Sequence, residues 1–256
     1  MSTVGFGYHS KRYRLFTRFA MCLFVLANIS SQAWSGEKPE LVINSGGSEP
    51  FSNSAGSGFY ALVAREAFSR LGITVKFIHL PNQRALINAN EGIDDGNMAR
   101  IEGLEKKYPN LVRVPEKIVD YDFVAYSLDP SIKINGWESL KPYGVAFING
   151  WQIFEKNVRG SRQVTRVRKA SQLFELLKNR RVDIILFERW GGLWWKQHEN
   201  VDARLLYPPL ATRPLYMYLN KSHVDLVPLV AQALAEMKKD GTYQHIFDEK
   251  LAVLPE

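Results

Sequence analysis

The chain of 256 residues holds a single cysteine, Cys22. A disulfide needs two, so a disulfide-dense scaffold is excluded. No apolar run reaches the ~20 residues that a membrane-spanning helix needs. The longest, Phe19 to Ile29, is about 11 residues. Catalytic signatures are missing as well: there is no G-x-S-x-G elbow, no Walker A loop and no G-x-G-x-x-G. His79, His198, His223 and His245 never fall in H-x-x-x-H spacing, which excludes a local zinc motif. Internal repeats and low-complexity segments are absent. With 46% hydrophobic and 23% charged residues, the chain has enough apolar surface to bury a core, so disorder is excluded as its main state.

The net charge of +7 is concentrated at the start. Lys11, Arg12, Arg14 and Arg18 precede the Phe19–Ile29 run, and the small residues Ser31 and Ala33 follow it. A basic segment, a short apolar segment and a small-x-small site are the anatomy of a secretory signal peptide over residues 1–33. Cleavage is expected after Ala33, with Ser35 as the second choice. Removing those 33 residues takes away four basic and no acidic residues, so +7 falls to +3. No basic stripe with interleaved aromatics remains, and no nucleic-acid partner is expected. Cys22 follows Ala20-Met21, which is no lipobox, so a processed chain would carry no cysteine. Its location is expected to be periplasmic, and neither a cofactor nor a metal is called for.

Strand and helix patterns then alternate. Leu41–Asn44, Ile73–Leu80, Val112–Val114, Asp120–Ser127, Tyr143–Ile148, Val182–Phe187, Leu205–Tyr207 and Leu215–Leu219 read as strands. Ser57–Leu71, Asn82–Asn90, Gln152–Val158, Ser171–Asn179, the segment from Ser222/Asp225 to Lys239, and Thr242–Leu251 read as helices. Ser222 and Asp225 have the spacing of a capping box. Such alternation predicts an α/β fold with mainly parallel sheets. Crossovers at Ser127–Pro130 and Pro208–Pro214 divide it into lobe 1, residues 34–128 and 210–256, and lobe 2, residues 129–209. Ligand pockets favour such inter-lobe clefts and the carboxyl ends of open α/β strands.

A group of short patterns then suggests a family. Arg84-Ala-Leu, Glu91-Gly-Ile-Asp94, Gly96, Arg100 and Tyr108-Pro-Asn-Leu-Val-Arg113 follow in order. Pro50-Phe51, Trp137–Leu140, Arg181–Glu188 and Asp240-Gly-Thr-Tyr243 extend the match over most of residues 40–252. Together they resemble solute-binding protein family 3, the type II periplasmic binding proteins of ABC transporters. The resemblance implies a periplasmic-binding-protein-like II fold, with two α/β lobes closing over a ligand. It also implies a non-enzymatic, monomeric protein that takes up a small polar solute, an amino acid or related organic acid, and hands it to an inner-membrane ABC permease.

The same resemblance assigns roles by position. Arg100 stands where an arginine holds a substrate carboxylate, which suits a planar guanidinium; the alternative is a surface arginine in an ion pair. Glu188 stands where a second-lobe carboxylate takes the substrate's ammonium group; otherwise it is a structural partner for Arg189 or Lys196. Phe51 is expected to stack on the ligand or to plug the lobe core. Gly150 and Trp151 open a helix, where backbone N–H groups can meet an anion, or form a simple turn with a packed Trp. Arg84 lies at a helix start, near the same strand ends or exposed to solvent. Trp190 and Trp194, four apart, are expected to pack in the second lobe. Amino-acid binders of this group carry a Thr two or three residues before the arginine, whereas Asn97-Met98-Ala99 stand here. Other readings are a ligand-sensing module for a signalling partner and a cyclohexadienyl-dehydratase-like enzyme with Glu188 as general acid.

Overall fold

Eight strands join one sheet in the computed structural model, which describes Met1 and residues 40–255. Apart from Met1, the expected leader lies outside the described residues, and so do its cleavage positions and Cys22. Among the described residues, no helix is long and apolar enough to cross a membrane.

The first part of the sheet is parallel. Strand β1 (Glu40–Ser45) runs between β2 (Thr74–His79) and β3 (Gly96–Arg100). Helices α1 (Phe59–Ser69) and α2 (Asn82–Glu91) connect them. Every third or fourth residue of α1 is apolar, so Phe59, Val63, Ala67 and Phe68 are buried on one side. Gly92 ends α2 with φ 72°, a left-handed conformation that glycine adopts without strain.

Strand β4 (Leu111–Ser127) starts the passage to the other half, where β5 (Gly144–Ile148) pairs in parallel with β6 (Gln163–Val167) and β7 (Ile184–Glu188). Helices α3 (Gln152–Asn157), α4 (Ala170–Lys178) and α5 (Arg189–His198) belong to this half. Strand β8 (Arg204–Asn220) returns, followed by α6 (Leu226–Lys239) and α7 (Thr242–Phe247). Strand β7 is buried along its whole length, as its continuous apolar run requires.

The sheet order is β2-β1-β3-β8-β4-β7-β5-β6. The two lobes are therefore joined by hydrogen bonds, through the antiparallel pair β4 and β8. Each of these strands is 17 residues long where the sequence pattern suggested two short ones. The discrepancy comes from proline. Pro115 lies within the register shift between Arg113 and Lys117, and a bulge dispenses with its ladder donor. Pro208 and Pro209 lie within the register shift between Leu206 and Ala211, outside the paired positions, and Pro214 lies where β8 pairs with β4 alone. Strand β4 pairs with β7 from Phe123 to Tyr126, just ahead of the Ser127–Pro130 stretch.

Some local expectations also shift. Strand β3 and helix α5 add to the expected elements; β3 is short and ends in a bulge, and α5 carries Gly191-Gly192 in its first turn. The Ser222/Asp225 capping box does not form. Asn220 accepts from the Ser222 N–H instead at 3.0 Å, and Asp225 makes no side-chain cap. The last helix is split, with α7 passing into a π-helical turn over Asp248–Ala252.

Candidate ligand-binding site

The parallel strands of both halves end toward one region. The β1 loop leads to Phe51, β3 ends at Arg100, β5 leads to Trp151 and β7 ends at Glu188. Tyr121, on β4, touches residues from both sides. Its ring lies 5.7 Å from Phe51 and 6.4 Å from Trp151. Phe51 stacks on Tyr60 at 4.9 Å, and Trp151 stacks on Phe187 at 5.0 Å. A continuous line of rings thus runs from α1 through the shared strand to β7. A Cβ built on Gly191 would lie 3.7 Å from the Glu49 carbonyl, so the loop after β1 comes close to the first turn of α5 there.

Arg100 is aimed by a backbone irregularity. The β3–β8 register shifts between Asn97 and Arg100, and Ala99 has φ 60°, a left-handed conformation uncommon for a residue with a Cβ. Bulges of this kind re-aim the side chain that follows. The guanidinium is then fixed by neutral oxygens. Its Nε donates to Asn97 Oδ1 at 2.6 Å, and Nη1 donates to Asn82 Oδ1 at 3.0 Å. Asn97 is itself held from behind, because its amide donates to Asn44 Oδ1. Asn44 donates in turn to Asp94 Oδ2 at 2.6 Å and to the Ala85 carbonyl at 2.9 Å. Asn44, Asn97 and Asp94 are all buried. Among the described residues no carboxylate pairs with Arg100. Partial burial lowers its pKa from the ordinary value, since a desolvated cation is disfavoured.

Glu188 is placed differently. It is 1% exposed, and it caps α5 with both oxygens. The Trp190 N–H donates to Oε1 at 2.8 Å and the Gly191 N–H to Oε2 at 2.6 Å. Burial pushes the carboxyl up to about 8, against the pull of those two donors. Tyr60 and Tyr121 link the two groups electrostatically. Each phenol is raised well above its ordinary value, first by burial and then by Glu188, and each is pulled down by Arg100.

The remaining expected residues separate. Phe51 is buried and packs on Tyr60, Phe59 and Tyr121. The Gly150 N–H, expected to meet an external anion, donates to Glu155 Oε1 at 2.8 Å within its own turn. Trp151 is half-buried among Phe154, Phe187, Phe123 and Tyr121. Arg84 is exposed on the first turn of α2. Trp190 does not stay within its own half; its ring meets Phe247 of α7 edge-on at 5.4 Å. Tyr60, Tyr121 and Asn97 join the site without having been expected there. Tyr121 had a signal in the alternation of Asp120–Ser127, and Asn97 in its place before the arginine.

The architecture is the two-lobe fold of periplasmic binding proteins. No protein-family model matches the sequence. An uncharacterized protein of Shewanella oneidensis is 26% identical over 190 residues, spanning 72% of each chain. The substrate-binding protein of an amino acid ABC transporter matches with a TM-score of 0.63 and 18% identity, over 82% of this chain and 98% of the other. A histidine kinase sensor domain similar to periplasmic binding proteins matches with a TM-score of 0.66 and 15% identity, over 84% and 97%. At these identities the likeness is one of fold. The resemblance to solute-binding protein family 3 holds at that level, and the fold it implied is the fold observed.

Proposed function

We propose that this chain is a periplasmic solute-binding protein that closes over a small carboxylate-bearing solute and delivers it to an ABC permease. One observation carries the reading. Arg100 is a half-buried cation, held in a fixed pose by Asn97 and Asn82, with no acid paired to it among the described residues. A guanidinium so prepared makes a strong bidentate pair with a carboxylate. Ligand contacts with both halves favour the closed state by their differential affinity for it. The secretory leader in the sequence supports the periplasmic location. The amino acid transporter component with the same fold supports delivery to a permease.

The kinase sensor domain of the same fold favours a second reading, in which the bound state signals through a partner. Both readings share one ligand site. We propose further that the chain is not an enzyme, because Glu188, the strongly shifted acid at the ends of these strands, spends both oxygens on the α5 cap. Absence of turnover of prephenate and arogenate tests that point. The binding reading is tested by thermal unfolding of the purified protein against amino acids, polyamines, organic acids and small sugars. A ligand at 100 times its Kd adds about 2.7 kcal/mol of stability, a shift of several degrees. A flat response across the panel contradicts it.

A further inference from the structure

Away from the strand ends that gather Arg100 and Glu188, one stretch of the chain collects positive charge. Residues 159–181 hold eight basic side chains and a single acid, Glu175. The rest of residues 34–256 is net −4, so the positive charge of a processed chain is concentrated here. Among the described residues, only Arg162 of those eight is in an ion pair, with Asp183 at 2.6 Å. Arg166, Arg168 and Arg181 are exposed and have no acid partner there.

The same stretch holds an open sheet edge. Strand β6 stands last in the sheet and pairs with β5 alone. Alternate backbone N–H and C=O groups of such a strand have no ladder partner. Beside it runs a groove of about 760 Å3. Residues 165–168 form one wall, and Gln172, Leu176 and Asn179, a stripe along α4 and its end, form the other. Arg181 joins the lining. Side chains alternate along β6. Val167 packs with the core that includes Leu173 and Phe174 of α4. Arg166 turns to the opposite face, its guanidinium 5.4 Å from the ring of its neighbour Phe147 on β5.

We propose that this edge and groove take an extended acidic segment of a partner protein as an added strand, independently of the solute site. Main-chain bonds to an open edge supply affinity in such a mode, and side-chain contacts supply selectivity. Acids at alternate positions of the segment meet Arg166 and Arg168, as opposite charges do across neighbouring strands. The residues between them meet Thr165, Val167 and Leu176 in the groove. A small anion leaves the backbone edge unused, and a lipid surface is flat where this site is concave.

The test is fluorescence anisotropy of the purified protein at about 150 mM salt, where exposed charges beyond roughly 8 Å are screened. The probe is a labelled short peptide of alternating glutamate and valine. Saturable binding is expected, ten-fold or more tighter than that of the alternating lysine and valine peptide. The double variant Arg168→Glu/Arg181→Glu should weaken it ten-fold or more. Circular dichroism checks the fold, and Arg168→Gln/Arg181→Gln replaces that variant if it misfolds. N-methylation of alternate peptide residues, made in both registers, should weaken binding ten-fold or more in at least one, because it blocks main-chain pairing. Equal binding of both methylated peptides overturns strand addition, and so does binding indifferent to the arginine variants. Phosphatidylglycerol vesicles that bind through the same arginines and displace the peptide overturn the proposal in favour of a membrane. No saturable peptide binding overturns it outright and leaves the solute-binding reading untouched.

Discussion

Asn97 holds Arg100: the asparagine carbonyl accepts from the arginine Nε at 2.6 Å, three residues away across a strand bulge. The same asparagine is anchored through Asn44 to Asp94. The anion receptor is thus the outer end of a buried polar chain. Asn97→Ala removes the Nε acceptor and leaves the Asn44 carbonyl without its donor. We expect a stability loss of about 1–3 kcal/mol, the range for stranding a buried polar group. We also expect ligand affinity to fall about ten-fold, roughly 1.4 kcal/mol. Denaturant unfolding and calorimetry measure the two effects separately. Unchanged affinity in the folded variant would mean that Arg100 does not need this support.

The backbone at Ala99 makes a second prediction. Its φ of 60° is tolerated by alanine but unfavourable for a β-branched side chain. Ala99→Val should cost about 1–3 kcal/mol and misdirect Arg100. Unfolding midpoints check the first part, and titration with whichever ligand the wild type binds checks the second. A variant as stable as the wild type would show that the bulge relaxes freely.

Glu188 gives stability a pH dependence of known sign. Its carboxyl ordinarily titrates near 4.5 and is raised to about 8 in the folded chain. Between those values the folded chain keeps a proton that the unfolded chain has released. Its contribution is therefore full below about 4.5 and lost as pH rises toward about 8. The slope from this one group is at most about 1.4 kcal/mol per pH unit. Glu188→Gln should flatten the stability profile over that window, as followed by urea unfolding at half-unit steps. Parallel profiles for wild type and variant would contradict the burial of this acid.

Gly192 faces the Tyr126 ring so closely that an added Cβ would overlap it. The Tyr126 hydroxyl donates to the Arg189 carbonyl at 2.6 Å, so the ring is not free to swing aside. Gly192→Ala should cost about 1–3 kcal/mol by overpacking. A thermal midpoint shift of several degrees is the readout, and no shift would mean that α5 moves to accommodate the methyl group.

Much of this was legible in the sequence because the signals were local. Gly92 marked the end of α2, and the apolar run at residues 182–187 marked β7. Arg100 stood out by its neighbours in the chain. The use made of Glu188 did not, since its sequence setting suggests a ligand contact or a partner for Arg189 or Lys196, and the cap depends on a helix, α5, that the pattern does not announce. The role of Asn97 is not legible in the sequence, because its partner Asn44, and through it Asp94, is brought to it only by the β1–β3 pairing. The two 17-residue strands are obscured by prolines, most of which sit where the pairing register shifts. That information lies in the sheet and not in any window of sequence.

As the anion receptor between the two halves, Arg100 should carry most of the ligand's carboxylate binding. Calorimetric titration of wild type and Arg100→Ala, with a ligand that raises the wild-type unfolding temperature, measures this. Affinity should fall about 100-fold, near 2.7 kcal/mol, in a variant that remains folded. Affinity unchanged within about two-fold, well under 1 kcal/mol, would contradict it.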